Sequence, residues 1–184
     1  TLPVSDDFTD STLHAELEEQ DPGAWTYTTD GAYPTDSAIN VWRYIRTVDS
    51  DYNTVDFTAE VTMNLVSDAG TDMGYFGLGD GVPSIFYDTP SNAITMMLRG
   101  DEGRMSVDSF EGGNSSVSVG NMVELSGDAS GMHRARLIKA GNDLTFSLDV
   151  DWPGSGFTSD GSLTIDLTDS QFDHLNMSNS RLFM

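Results

Sequence analysis

The sequence contains no cysteine. Disulfide cross-links, thiolate catalysis and cysteine-based zinc sites are thereby excluded. Basic residues are nearly as scarce. Seven Arg and one Lys (Lys139) stand against 30 Asp and Glu, for a formal net charge of -22 over 184 residues. A surface of that charge repels nucleic-acid phosphates and anionic membranes, which makes both poor partners. No apolar run approaches the ~20 residues of a membrane-spanning helix, so no membrane insertion is expected. Histidine occurs only at positions 14, 133 and 174. No H-E-x-x-H or other paired spacing turns these into a zinc site, and His133 reads as a packed or rim histidine. A G-x-S-x-G elbow and an EF-hand string are also missing. The sequence opens at Thr1 rather than Met, and a trimmed or mature form is expected.

What is present is a foldable composition. The 38% hydrophobic and 10% aromatic content is that of a globular chain, not a disordered one. Without a linker, composition break or internal repeat, residues 1–184 read as one domain, long enough to bury roughly 70% of its unfolded surface. The acid is mostly Asp, with only seven Glu. Excess Asp suits solvation in a salty, marine or halophilic setting, where counterions screen self-repulsion. Alternatively, a few of the carboxylates bind Ca²⁺, which prefers oxygen ligands in loops.

Alternation of period two dominates the chain. Gly131 to Trp152, GMHRARLIKAGNDLTFSLDVDW, folds back at Gly141-Asn142 as a hairpin that sets Leu137 opposite Phe146, Ala135 opposite Leu148, Arg136 opposite Ser147 and Arg134 opposite Asp149. One face then carries Ala135, Leu137, Leu144, Phe146, Leu148 and Val150; the other carries Arg134, Arg136, Thr145, Ser147, Asp149 and Asp151. A one-residue slip would scramble both faces. Val55 to Leu65 alternates as strictly, with Val55, Phe57, Ala59, Val61, Met63 and Leu65 on its buried side. Further strands are expected at 38–47, 84–87, 93–98, 104–110, 117–125, 163–167 and 180–184. One or two helical turns are expected over Thr12 to Gln20, and turns at Asp30-Gly31 and Tyr33-Pro34. In MGYFGLGDG, no helix pattern or Lys-Ser/Thr follows the glycines, which read as a closely approached strand or a bulge rather than a phosphate loop. WPGSGFTSDGS is a surface loop. About a dozen short strands with little helix make an all-β, antiparallel β-sandwich of two packed sheets, a jelly roll.

The H-R-x-R-L strand turning at G-N into L-T-F-x-x-D resembles an element of concanavalin A-like and laminin G-like jelly rolls, the superfamily of lectins and glucanases. VSDDFTD followed by the Trp of AWTYTT resembles their opening strands, and SRLFM their closing one. The resemblance implies carbohydrate binding by a secreted or surface-exposed bacterial protein, with a glycan or polysaccharide and other domains of a larger surface protein as partners. It also implies a structural calcium ion near the first strand and a late one, matching Asp6, Asp7 and Asp173. Asp80 and Asp101-Glu102 are looser alternatives.

Enzymes of this superfamily carry E-x-D-x-E or E-x-D-x-x-E on one strand, and its alginate lyases carry R-x-E-L-R and Q-I-H strings. None of these occurs here. Asp56 and Glu60 share a strand face, but i, i+4 neighbours lie about 13 Å apart, too far for either common glycosidase geometry. They read as a wetted face, and no catalytic residue is assigned. Sugar binding needs aromatic faces for the pyranose ring and polar forks for its hydroxyls. Trp42, Tyr44, Tyr75, Tyr87 and Trp152 supply the first, and Arg99, Arg134 and Arg136 the second; Phe86, Arg43 and Arg104 are further candidates. Trp152, where a strand enters a loop, is the best exposed. A structural pairing of Arg134 and Arg136 with Asp149 and Asp151 across the hairpin competes with this role. The expected function is a non-catalytic, lectin-like module. An atypical glycosidase or lyase and a structural or adhesion module are the alternatives.

The charge imbalance yields a prediction. Raising NaCl from about 0.1 M to about 1 M should raise the unfolding midpoint by several degrees, because screening relieves carboxylate repulsion in the compact state. A scanning-calorimetry midpoint that stays level or falls would contradict it.

Overall fold

The structure, a computed structural model, describes residues 5–8, 10, 12–35, 43–65, 73–80, 91–99, 104–112, 117–124, 130–175 and 179–184. Thirteen strands are formed among them: β1 (Leu17–Glu19), β2 (Trp25–Thr28), β3 (Gly31–Pro34), β4 (Ile45–Thr47), β5 (Phe57–Leu65), β6 (Met73–Gly79), β7 (Ala93–Arg99), β8 (Arg104–Phe110), β9 (Val117–Glu124), β10 (Gly131–Ala140), β11 (Asp143–Asp149), β12 (Gly161–Asp166) and β13 (Arg181–Phe183). A 3₁₀ helix covers Ser170–Leu175. The protein is an antiparallel β-sandwich. One sheet runs β1-β4-β13-β6-β7-β8-β9, the other β12-β11-β10-β5, and β2-β3 form a separate ribbon.

The β10–β11 hairpin has the register its sequence predicts. Leu137 faces Phe146, Ala135 faces Leu148, Arg136 faces Ser147 and Arg134 faces Asp149. Gly141 alone of the two turn residues takes positive φ, at 61°, the pattern of a turn with glycine at its first central position. Ala135, Leu137, Leu144, Phe146 and Leu148 are fully buried. They meet Phe76, Leu78, Ile94, Met96, Leu98, Met105 and Val107 of the larger sheet in one apolar cluster. Each large side chain so buried is worth about 1.5–3 kcal/mol. The inner residues of β5 lie against the same cluster, only partly buried except Leu65. That follows from its place at the sheet edge.

The glycines of β6 admit close neighbours, as the sequence suggests. A Cβ on Gly77 would collide with the carbonyl oxygen of Ile94 and lie 2.7 Å from Thr95 Cα, on the adjoining strand. Gly74 instead faces the opposite sheet, where a Cβ would come 2.9 Å from Met63 Sδ.

Several expectations are corrected. Thr12 to Gln20 is not helical: Leu17–Glu19 is an edge strand paired with Ile45–Thr47. Tyr33-Pro34 lies within β3 rather than in a turn. Of the strand expected over 38–47, residues 38–42 lie outside the described residues, as does the strand at 84–87. The strand expected over 180–184 forms as β13, inserted between β4 and β6.

Gly77→Ala should cost at least about 2 kcal/mol, since rigid backbone must move. Gly74→Ala should cost clearly less, because a flexible methionine end can swing away. Urea unfolding of the two variants checks the order, and equal losses would refute it.

Candidate functional site

The residues expected to bind ligand fall on opposite faces of the sandwich. Tyr75 and Arg99 lie on the outer side of the larger sheet, since Phe76, Leu78, Ile94, Met96 and Leu98 point inward, and Tyr44, just before β4, packs on the same side. Tyr44 is buried against Phe183 with ring centroids 5.7 Å apart, so it packs as a structural ring. Tyr75 is half-buried beside it, and burial, with the Asp108 charge nearby, pushes its hydroxyl pKa up to about 12. The middle of this face is closed: Thr95 and Ser106 have 0% exposure, and Ser106 Oγ donates to the buried Asp108 at 3.1 Å. Trp42, Tyr87 and Phe86 lie outside the described residues.

Arg134, Arg136 and Trp152 come together on the outer face of the smaller sheet, which is open. Antiparallel pairing of β5 with β10 places Glu60 opposite Arg136 and Thr62 opposite Arg134. Glu60 holds both arginines. Its Oε2 accepts from Arg134 Nη2 at 2.6 Å and Nε at 3.0 Å, and its Oε1 from Arg136 Nε at 2.6 Å. The three side chains are 24–30% exposed. The competing pairing of these arginines with Asp149 and Asp151 across the hairpin does not occur. Asp149 is buried and accepts instead from Thr158 N at 2.6 Å, which fastens the 150–160 loop onto the sheet. Asp160 Oδ2 accepts from Val150 N at 2.7 Å to close the same loop.

That loop lays two rings on the guanidiniums. Trp152 lies over Arg134, with Cζ 4.6 Å from the ring centroid, and Phe157 over Arg136 at 3.8 Å. Each such contact contributes about 0.5–1 kcal/mol at exposed sites. Trp152 Nε1 donates to Gly156 O at 2.8 Å, which fixes the indole. Each guanidinium thus has the Glu60 carboxylate on its edge and a ring beside it. Beside the rings, Met132 is 45% exposed, and Thr58, Thr62 and Asn64 of β5 are exposed. Phe157 is not singled out by its sequence context, although it shares the Gly/Ser/Pro loop with Trp152. Glu60 read only as part of a wetted face.

Burial alone would raise the Glu60 carboxyl; hydrogen bonds from Arg136 and Arg134, with their charges, outweigh it and hold the group below the usual carboxylate range. His133 is fully buried, as a packed histidine. Asp6 serves its own loop: Oδ1 accepts from Phe8 N and Oδ2 from His14 N, both at 2.7 Å. Asp7 lies in the same segment, and Asp173 is exposed on the 3₁₀ helix. Asp80 is buried with Oδ2 accepting from Asn92, while Asp101-Glu102 lies outside the described residues. Among the described residues, no three His, Asp or Glu side chains gather where they could hold a metal ion.

No protein-family profile and no curated protein matches the chain. Solved structures do share its fold. The CBM2 module of the evolved Dit of Lactobacillus casei BL23 phage J-1 superposes with a TM-score of 0.57 at 15% identity, over 96% of this chain and 83% of that one. The carbohydrate-binding module CBM66 from Bacillus subtilis superposes with a TM-score of 0.50 at 15% identity, over 92% of each chain. The architecture is thus one shared with carbohydrate-binding modules.

Glu60→Gln should lower stability by about 1–2 kcal/mol at pH 7, solvent screening near the surface keeping the loss modest. Because the folded-state pKa is the lower one, Glu60's contribution is fully present above its unfolded-state value and is lost as pH falls through the folded one. The gap between wild type and variant in urea unfolding should therefore shrink toward pH ~3. An unchanged gap would count against the ion-pair account.

Proposed function

We propose that the protein is a non-catalytic carbohydrate-binding module of a secreted or surface-exposed protein, within the concanavalin A-like type of jelly roll. The observation that carries this reading is the ring pair Trp152 and Phe157, seated on Arg134 and Arg136 on an open sheet face. Rings backed on one side leave the other for the apolar face of a sugar, and the neighbouring Thr62 and Asn64 supply hydroxyl-binding groups. The shared architecture with two carbohydrate-binding modules supports it. Glu60 favours binding over hydrolysis. A general acid for glycoside cleavage needs a carboxyl kept protonated, and here two guanidiniums favour the ionised form.

The experiment is a glycan-array screen with and without Ca²⁺, with release of reducing ends measured on every polysaccharide bound. Binding without release is expected. Trp152→Ala should weaken that binding by about tenfold or more, and Trp152→Phe should restore much of it. Release of sugar would make the protein an enzyme. Silence in both channels would favour the structural or adhesion module. A response to Ca²⁺ would support the cation that the family resemblance implies.

A further inference from the structure

We infer that the ligand of this ring platform is a neutral, extended polysaccharide held by its internal units along β10. The inference rests on the carbohydrate reading above and adds the charge and form of the ligand.

Charge comes first. The arginines are the cations an acidic sugar would seek, yet both donate through Nε to Glu60 and both are capped by rings. A uronate or sulfate would bring its charge beside the Glu60 carboxylate, which already lies 2.6 Å from each guanidinium and weakens the pull of both on a second anion. Locally the two guanidinium charges are offset by Glu60, which bonds both, and by the charge of Asp149, which lies directly across the hairpin from Arg134 without bonding it. Asp151, exposed at the foot of the Trp152 loop, adds further negative charge. Beyond the platform the chain carries a net charge of -22. A polyanion therefore meets repulsion at long range and finds no unmatched cation pair at short range.

Form follows from the strand. The outward positions of β10 from Met132 to Ile138 span six residues, about 20 Å at ~3.3 Å each. Exposed Met132 marks one end, and the exposed outward residues of β5 run alongside. The rings stand over Arg134 and Arg136, two residues apart on the same strand, so their supports repeat at about 7 Å along its axis. This is a long, open surface with stacking positions in series, suited to several successive sugar units rather than to one chain terminus.

The test is calorimetric titration of the intact protein with two sets of soluble polymers at about 0.1 M and about 0.5 M NaCl. The neutral set is galactomannan, arabinoxylan, mixed-linkage β-glucan and dextran; the acidic set is alginate, polygalacturonate and chondroitin sulfate. At least one neutral polymer should bind, with affinity changing less than about threefold between the salts. Its hexasaccharide should bind about tenfold or more tighter than its disaccharide, and Trp152→Ala should lose about tenfold. Trp152→Phe keeps a ring and controls for misfolding. Salt-sensitive binding of an acidic polymer would overturn the charge assignment. A disaccharide as tight as its polymer would overturn the extended form. Absence of binding throughout both sets would overturn the carbohydrate reading itself, and this inference with it.

Discussion

Everything on the smaller sheet hangs on the phase of one strand. β10 is flanked on both sides, by β5 and β11, and its residues alternate between the apolar core and the outer face. The tight turn at Gly141 pins it against β11. Were the register to slip by one, Ala135 and Leu137 would turn to solvent and two arginines would enter the core, at a cost no surface contact could offset. Burial of Leu137 and Phe146 therefore holds Arg134 and Arg136 in place as firmly as any direct contact they make. Core packing and the outward platform are two sides of a single constraint.

The acidity of the chain makes its few cations valuable. Two of the seven arginines converge on Glu60, while Arg46 and Arg181 share Glu18 at 2.7 and 2.8 Å. Each carboxylate so placed joins strands distant in sequence: β5 with β10 in the first case, β1 with β4 and β13 in the second. Individual surface pairs of this kind contribute about 1 kcal/mol or less. Their larger effect is geometric, since one carboxylate orients two guanidiniums and, at Glu60, two rings stacked upon them.

Much of this fold was legible from local pattern, and little of the site was. The hairpin register could be read because turn and alternation lie within some twenty residues. The β5–β10 pairing joins Glu60 to Arg134 and Arg136 across 74 and 76 residues, and no local signal carries it. Hence Glu60 reads as wetted, and the sequence offers the arginines only Asp149 and Asp151 of the hairpin as local partners. The Thr12 to Gln20 stretch has helix-favouring Ala, Leu and Glu, but pairing of Leu17 with Thr47 overrides that weak preference. Tyr44, Tyr75 and Trp152 look alike as aromatic candidates in sequence; only the assignment of strands to sheets separates a ring buried under Phe183 from one laid on a guanidinium.

Accessibility then decides between the two outer faces. On the larger sheet, hydroxyls and a carboxylate sit where a sugar-binding surface would want them, yet Thr95, Ser106 and Asp108 are buried and Asp108 already accepts from Ser106. A ligand there would have to displace whatever covers them. On the smaller sheet the covering layer is itself the aromatic loop, tied down by Asp149, Asp160 and the indole N–H. A loop fixed at three points presents its rings with little entropy left to lose on binding, which favours recognition by preorganised stacking. The same ties explain why Asp149 faces Thr158 rather than Arg134: it gives up an ion pair to hold in place the loop that caps that arginine.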